Sequence, residues 1–598
     1  MLSICHYRYK VNTKFQKTDM RRIKRFTLSQ NRYNHNTFYF LCISIVCNLV
    51  LVQPVFSQNY DTKYFRSPVN FPITLAGNFG EIRPNHFHSG IDIKVPNVGI
   101  KLYASADGYV SRIRKDAGGY GNVLYITHPN GLMTVYAHLY KFNESIEKYA
   151  SEIQYRNNNF EFTDYPDTTK FPIKKGEFIG FAGNSGRSYG PHLHFEIREA
   201  EKDIPINPLL FDFNIIDNIK PQIFDLIAYP LSEGSEVDGI KANKKYKLQK
   251  TGLNYTIKDV IQYSGKIGFS IHANDFMNQV SNQQGIYSLK MYVDDQLWYS
   301  HSLEKISFYD TRYINSFIDY EEKQTSGLKF QKLFTEPGNK LDIYKDLINS
   351  GIIEAKDEQI HKVKIIAKDN FNNICSLSFK IKGKQSIEKQ SDKSGLLIYD
   401  ADNYIIEHDF RAYIRKGSLY KNESKIYKVY SKQNGYLSNI HQLNSNLVPL
   451  HNEMHIAIKP LGLKKELIKK ALIVYIDQNN EIEPLESTFM NEFIVSKCTK
   501  FGKFGILIDT VPPIITKEEK GIDKTKAISF NISDKLSGIS NYYAEIDGNP
   551  IIFEYDLKND RIVYYFDNHI TYNKLHRLKL TVCDKKNNKT VIETEFFK

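Results

Sequence analysis

The sequence of 598 residues is 41% hydrophobic, 25% charged and 13% aromatic, which excludes a wholly disordered or fibrous chain and leaves material for several packed cores. Its 41 Tyr and 37 Phe favour strands over helices. The formal charge of +13 is concentrated at the start, where residues 1–57 hold nine Lys/Arg against one Asp; the rest carries no dominant basic block, so nucleic-acid binding loses its main support.

The first predicted element is a leader. Arg21, Arg22, Lys24, Arg25 and Arg32 precede an apolar run at 38–52, followed by Pro54-Val55-Phe56-Ser57-Gln58. A basic flank, a short apolar segment and small residues near a cut site form a signal peptide over 1–57, with cleavage expected after Ser57. The run is interrupted by Asn48 and is short against the roughly 20 residues of a spanning helix. Export to the periplasm, cell envelope or exterior is therefore expected. Cys5, Cys42 and Cys47 fall in this leader, and the distant Cys375, Cys498 and Cys583 make no disulfide framework; separate small core residues are expected instead.

A polar lead-in at 58–72 gives way to a segment, 73–215, dense in Gly, His and short alternating strands. Three elements stand out: His86-Phe87-His88-Ser89-Gly90-Ile91-Asp92, Tyr136-Ala137-His138-Leu139, and Gly190-Pro191-His192-Leu193-His194-Phe195-Glu196-Ile197. His and Asp are zinc ligands, and a catalytic zinc site pairs three protein ligands with an open position. In a strand over 192–197, His192, His194 and Glu196 share one face and Leu193, Phe195 and Ile197 the other. Two unpartnered imidazoles would be costly to bury, so the first face implies a polar cleft. The Asn130-Gly131 pair predicts a hairpin. On its return strand Thr134, Tyr136 and His138 share a face, which would present His138 to the cleft. His88 and Asp92 would lie about 13 Å apart in a fully extended chain, so they reach one ion only if the backbone bends at Ser89-Gly90. His86 competes with His88, His128 is expected to be exposed beside the turn, and Glu196 is either a partner for an imidazole or an ordinary strand carboxylate.

His88-x-x-x-Asp92, the Tyr-Ala-His-Leu setting of His138 and His192-x-His194, in that order, resemble the lysostaphin/LytM-type zinc endopeptidases, which cut peptide cross-links of peptidoglycan. Gly119-Tyr120-Gly121-Asn122, Lys174-Lys175-Gly176-Glu177 and Gly183-Asn184-Ser185-Gly186 also match. The resemblance implies that His88, Asp92 and His194 bind Zn2+ and that His138 and His192 are the catalytic pair beside it, without saying which is the general base. The connection 141–173 is longer than a minimal relative needs, with a helix expected over 144–155, and Tyr189 stands where a small residue is common. Substrate preference stays open on these grounds.

Beyond 215, strand-like alternation continues and a repeat is visible. Asp217 to Ile223 matches Asp509 to Ile515, and His361 to Asp369 matches His576 to Asp584. These copies, 216–384 with insertions and 509–598, resemble immunoglobulin-like modules; between them, 385–508 is β-rich with one helix-like stretch at 463–471 and no assigned fold. His451-Asn452-Glu453-Met454-His455 lacks the Glu of a metalloprotease helix and reads as strand. The expected architecture is mainly β: an antiparallel peptidase domain with a zinc-binding groove, then several β-sandwich-like domains. The expected function is hydrolysis of peptidoglycan peptides by an exported zinc metalloendopeptidase, with cell-envelope proteins as partners of the distal modules. Alternatives are a non-enzymatic regulator of a cell-wall amidase on the same scaffold, or a scaffold or adhesin acting through those modules.

Overall fold

A computed structural model describes residues 60–252, 254–386, 395–518 and 526–598. The expected signal peptide and its three cysteines lie outside the described residues. Among those described, no helix is long and apolar enough to cross a membrane.

The first domain is built from short strands: β1 (Leu75–Gly77), β2 (Ile82–Arg83), β3 (His86–Phe87), β4 (Ile91–Lys94), β5 (Lys101–Tyr103), β6 (Gly108–Lys115) and β7 (Asn122–Thr127). It continues through β8 (Leu132–Phe142), helix α1 (Glu144–Asn157), β9 (Phe162–Asp164), β10 (Pro172–Ile173), β11 (Phe178–Ala182), β12 (His192–Glu199) and β13 (Ile204–Ile206). Eleven of these strands form one sheet with the path β1-β4-β12-β8-β7-β6-β10, while β2 and β3 pair separately. The site is carried on its centre. Strand β12 pairs antiparallel with β4 on one side and β8 on the other, which brings Asp92 and Ala137 opposite His194.

Strand alternation decides which side chains face the apolar core. Leu193, Phe195 and Ile197 are fully enclosed, and the Phe195 ring packs edge-on against Tyr136 and Phe213 at 5.4 and 5.8 Å between centroids. The other face of β7 and β8 buries Val123, Tyr125, Met133, Val135 and Ala137 as a second cluster. The hairpin between β7 and β8 turns through His128 to Gly131 rather than through Asn-Gly alone: His128 N–H bonds Leu132 O at 2.9 Å and Gly131 N–H bonds His128 O at 3.1 Å. Gly131 takes the left-handed conformation there, with φ +79°. Helix α1 starts where Asn143 accepts the Ile146 N–H at 3.0 Å, with Glu144 and Glu147 in the first turn, and ends at left-handed Asn158. Its Ile146, Ala150 and Ile153 are buried at helical spacing.

Three two-sheet units follow. In the first, one sheet centres on Gln222–Pro230 and Lys266–Asn274 and the other on Asn254–Ser264, Ile374–Lys384 and Ile360–Lys368; a single apolar core lies between them. In the second, two five-stranded sheets sandwich Phe410, Met454, Ile473, Phe501 and Phe504. The last has two four-stranded sheets closing on Phe530, Ile562, Leu578 and Leu580. The stretch at 463–471 contains a short 3-10 turn, Lys465–Lys470, and His451 and His455 lie on a strand, Pro449–Ile458. Of the three distal cysteines, Cys375 and Cys498 are buried and Cys583 is half-buried; all are free thiols.

Candidate metal centre

His88 leaves β3 at a bend and Asp92 sits on β4, so the four-residue separation is folded back on itself. His88 Nε2 lies 3.0 Å from Asp92 Oδ1. The bend requires glycine at position 90, because a Cβ there would stand 2.4 Å from the Phe195 carbonyl oxygen. From β12, His194 Nδ1 comes to 2.8 Å from Asp92 Oδ1 and 3.0 Å from His88 Nε2. All three side chains are buried, and one ligand atom from each lies within 4.8 Å of the others.

The outer hydrogen bonds fix which nitrogens face inward. His88 Nδ1 is 2.7 Å from the Asn78 carbonyl oxygen, which can only accept, so Nδ1 carries the proton and Nε2 is bare. His194 Nε2 is 2.7 Å from Glu196 Oε1, which leaves Nδ1 bare in the neutral ring. Two lone pairs and a carboxylate oxygen thus converge on one point with no donor between them. That arrangement needs a cation, and two imidazoles with one carboxylate are the donor set of zinc. Failing a metal, a proton would have to serve: burial opposes charge on His194, but Asp92 and Glu196 outweigh it and lift its pKa to about 9. Burial likewise opposes ionisation of Asp92, yet His88, His192 and His194 hold its carboxyl well below the usual range.

Asp92 Oδ2 accepts from Arg83 Nη2 at 2.6 Å, which fixes the carboxylate with Oδ1 toward the imidazoles. Glu196 is no ordinary strand carboxylate. It is fully buried, accepts from His194 and from Tyr120 Oη at 2.6 Å, and pairs through Oε2 with Arg198 Nε at 2.5 Å. Ser89 Oγ joins at 2.8 Å. Burial raises the cost of its charge, but Arg198 and His194 keep it ionised. Asn78, Arg83 and Arg198 were not singled out from the sequence, and Ser89 and Tyr120 were quoted there only as a bend and as part of a matching motif. Only Arg198, two residues beyond Glu196 on the same strand face, had a readable signal.

His138 reaches the centre by a different route from the one expected. Directly paired residues share a sheet face, and Phe195 pairs with Tyr136. The face of Thr134 and Tyr136 is therefore the core side, where both are fully buried and their hydroxyls bond each other at 3.1 Å. Regular alternation would send His138 the same way. Instead β8 bulges: Leu124 pairs with Tyr136 but Asn122 with Leu139, and His138 takes a left-handed φ of 59°. The ring turns to the metal side, 4.8 Å from His192 and 5.9 Å from His194 between centroids. Its Nδ1 donates to Ser185 O at 2.8 Å, and burial together with His194 and His192 lowers its pKa to about 3. His192 Nδ1 lies 2.9 Å from Gly190 O, and its Nε2 is 3.5 Å from Asp92 Oδ1. The His138 ring is thus a neutral Nδ1–H tautomer with a bare Nε2, while His192 donates from Nδ1 to the Gly190 carbonyl and turns Nε2 toward the Asp92 carboxylate.

All five sequence-derived residues come together, and the competing histidines do not. His86 is exposed and bonds Pro84 O at 2.8 Å. His128 is buried rather than exposed, because the four-residue turn folds it inward between Asp107 O and Thr134 Oγ1, each at 2.8 Å. Tyr189, expected to bear on substrate preference, is fully exposed on the loop before His192.

Residues 86–151 and 168–208 match the model described as Peptidase family M23, and residues 394–509 match that of a Zu5-like domain. The gap in the first match falls inside the long connection between β8 and β11. The chain is 38% identical over 122 residues to "DD-carboxypeptidase/endopeptidase Mpg" of Neisseria meningitidis serogroup B, covering 20% of this chain and 22% of that protein. It is 30% identical over 138 residues to "Peptidoglycan DD-endopeptidase ShyA" of Vibrio cholerae serotype O1, covering 22% of this chain and 26% of the relative. The catalytic domain of the prophage-encoded M23 protein EnpA from Enterococcus faecalis aligns at 23% identity and a TM-score of 0.18, covering 23% of this chain and 93% of that one. The chain spans about a quarter of the length of these curated relatives. With its histidine elements in order and its zinc-type donors converged, the chain holds, over residues 86–151 and 168–208, a segment that matches peptidase family M23.

Proposed function

We propose that the chain is an exported zinc metalloendopeptidase that hydrolyses peptide cross-links of bacterial peptidoglycan. The observation that carries this reading is the meeting of a zinc donor set with two further imidazoles in one site. His88, Asp92 and His194 hold the metal. Zinc bound there supplies Lewis acidity toward a peptide carbonyl and water. His138 and His192 move protons: the bare Nε2 of His138 can accept one from the attacking water, and the pair can return it to the departing amine. The Ser185 and Gly190 carbonyls hold the two rings through Nδ1. Exposed Tyr140 and Tyr189, close in sequence to the two catalytic histidines, offer aromatic surface to a peptide. The names of the relatives support peptidoglycan as the substrate, and the basic-apolar leader supports export.

The domain division follows: 58–72 lead-in, 73–215 peptidase, then β modules at 216–384, 385–508 and 509–598, which position the peptidase and engage cell-envelope proteins. A regulator without catalysis would not need His138 and His192 beside an intact donor set. The test is mass spectrometry of purified cross-linked muropeptides incubated with the mature chain. Cleavage that stops with chelator and returns with added zinc is expected; intact cross-links under all conditions would overturn the proposal.

A further inference from the structure

The two related β sandwiches each gather three aspartates at one end. In the first, Asp217 precedes the strand Gln222–Pro230, Asp275 follows Lys266–Asn274 and Asp369 follows Ile360–Lys368. One oxygen from each lies within 4.8 Å of the others, and Asp509, Asp534 and Asp584 meet the same limit in the last sandwich. The match extends to hydrogen bonds. Asp369 Oδ1 accepts the Phe371 and Asn373 N–H groups, and Asp584 Oδ1 those of Lys586 and Asn588, all at 2.8 Å. The Asn373 and Asn588 amides each donate to that aspartate at 2.7 Å and to the backbone of Asp217 or Asp509 at 3.1 Å.

What fills the two ends differs. In the last sandwich, Asp509 Oδ2 accepts the Ser537 N–H at 3.0 Å, and Asp534 Oδ2 accepts those of Leu536 and Gly538 at 3.2 and 2.6 Å. In the first, Asp217, Asp275 and Asp369 are only 6%, 3% and 1% exposed, yet Asp217 Oδ2 and Asp275 Oδ1 are enclosed and accept no hydrogen bond. Gln284 pairs through its backbone with Asp275 and so shares its face; its Oε1 is also enclosed and unbonded. Buried carboxylates of like charge, with oxygens left over, call for a cation.

We propose that Asp217, Asp275 and Asp369 bind Ca2+ at the joint between the peptidase domain and the first β sandwich. The donors are all oxygen, with no His or Cys, which selects a hard cation over zinc. The enclosure leaves little room for the waters that Mg2+ retains, which favours Ca2+. The site also ties together the parts around it. Asp217 lies in the segment leaving the peptidase domain, and Gly285, next to Gln284, exchanges two 2.8 Å hydrogen bonds with the Asn78 side chain. The Asn78 carbonyl is the group that orients His88.

The test uses the full mature chain, stripped on a chelating resin and reloaded with one equivalent of zinc, titrated with CaCl2 by calorimetry and followed by thermal melting. One Ca2+ per chain and a raised melting temperature are expected. Asp275→Asn and Asp217→Asn should weaken binding at least tenfold, whereas Asp534→Asn and the zinc-ligand variant His194→Ala should retain it. If Asp275→Asn does not fold, Asp217→Asn, on the connecting segment, decides. No saturable Ca2+ binding, binding undiminished by the variant that folds, or binding lost with His194→Ala would overturn the proposal. The last result would assign the ion to the peptidase centre.

Discussion

His138 owes its place to one backbone conformation. Its left-handed φ swings the ring off the core side of β8, so the residue faces the metal centre only because the strand is bulged there. On the proposed mechanism His138 and His192 move protons and do not hold the metal, so His138→Ala and His192→Ala should each retain bound zinc while losing at least about 100-fold in turnover on muropeptides. Undiminished turnover in either variant would remove that residue from the mechanism. Glu196 supports His194 and is itself paired with buried Arg198. Glu196→Ala should therefore lower stability by about 3–5 kcal/mol in denaturant titration, since it strands a buried guanidinium; Glu196→Gln should weaken zinc about 10–100-fold in a chelator competition. The identities of the five site residues were legible because their order and spacing are distinctive. The route of His138 was not, since alternation carries no mark of an extra residue, and the support from Asn78, Arg83 and Tyr120 arrives through contacts remote in sequence.

At the scale of elements, β12 was the most readable: its alternation puts His192 and His194 on the face of the metal centre and Leu193, Phe195 and Ile197 on the apolar core side, although His194 and Glu196 are buried as well. The β7–β8 turn was read in kind but not in length, and the difference buries His128. Burial, against weaker support from Asp107, lowers its pKa from 6.5 to about 4. The unfolded chain thus takes up a proton below pH 6.5 that the folded chain refuses until about pH 4. The associated stability is full above pH 6.5 and is lost as pH falls through that window, on the order of 3 kcal/mol in all. Replacing His128 with Gln should flatten this part of the stability–pH curve; an unchanged slope would mean that the ring is protonated in the fold. The helix expected over 144–155 runs two residues further, to an Asn158 whose left-handed geometry has no periodic signal.

Across the whole molecule, the repeat first seen in the matches of Asp217–Ile223 with Asp509–Ile515 and of His361–Asp369 with His576–Asp584 proves to be structural, because Asp369 and Asp584 accept the same hydrogen bonds in both sandwiches. The insertions of the first copy hold its short helices, and the intervening unit, which pattern alone could not place, matches a Zu5-like domain. Long-range docking was illegible in the sequence. Tyr155 on α1 donates to Asp567 Oδ2 at 2.6 Å and stacks on His569 with centroids 3.8 Å apart. Tyr155→Phe should leave the peptidase fold intact while increasing hydrogen exchange at 567–570; unchanged exchange would mean that the last module is held elsewhere.

The central claim, that His88, Asp92 and His194 share one zinc, is tested most directly by the metal content of the purified chain, measured by inductively coupled plasma mass spectrometry beside His194→Ala. The account predicts one zinc per wild-type chain and nearly none in the variant. A variant that folds and keeps its full zinc complement would contradict it.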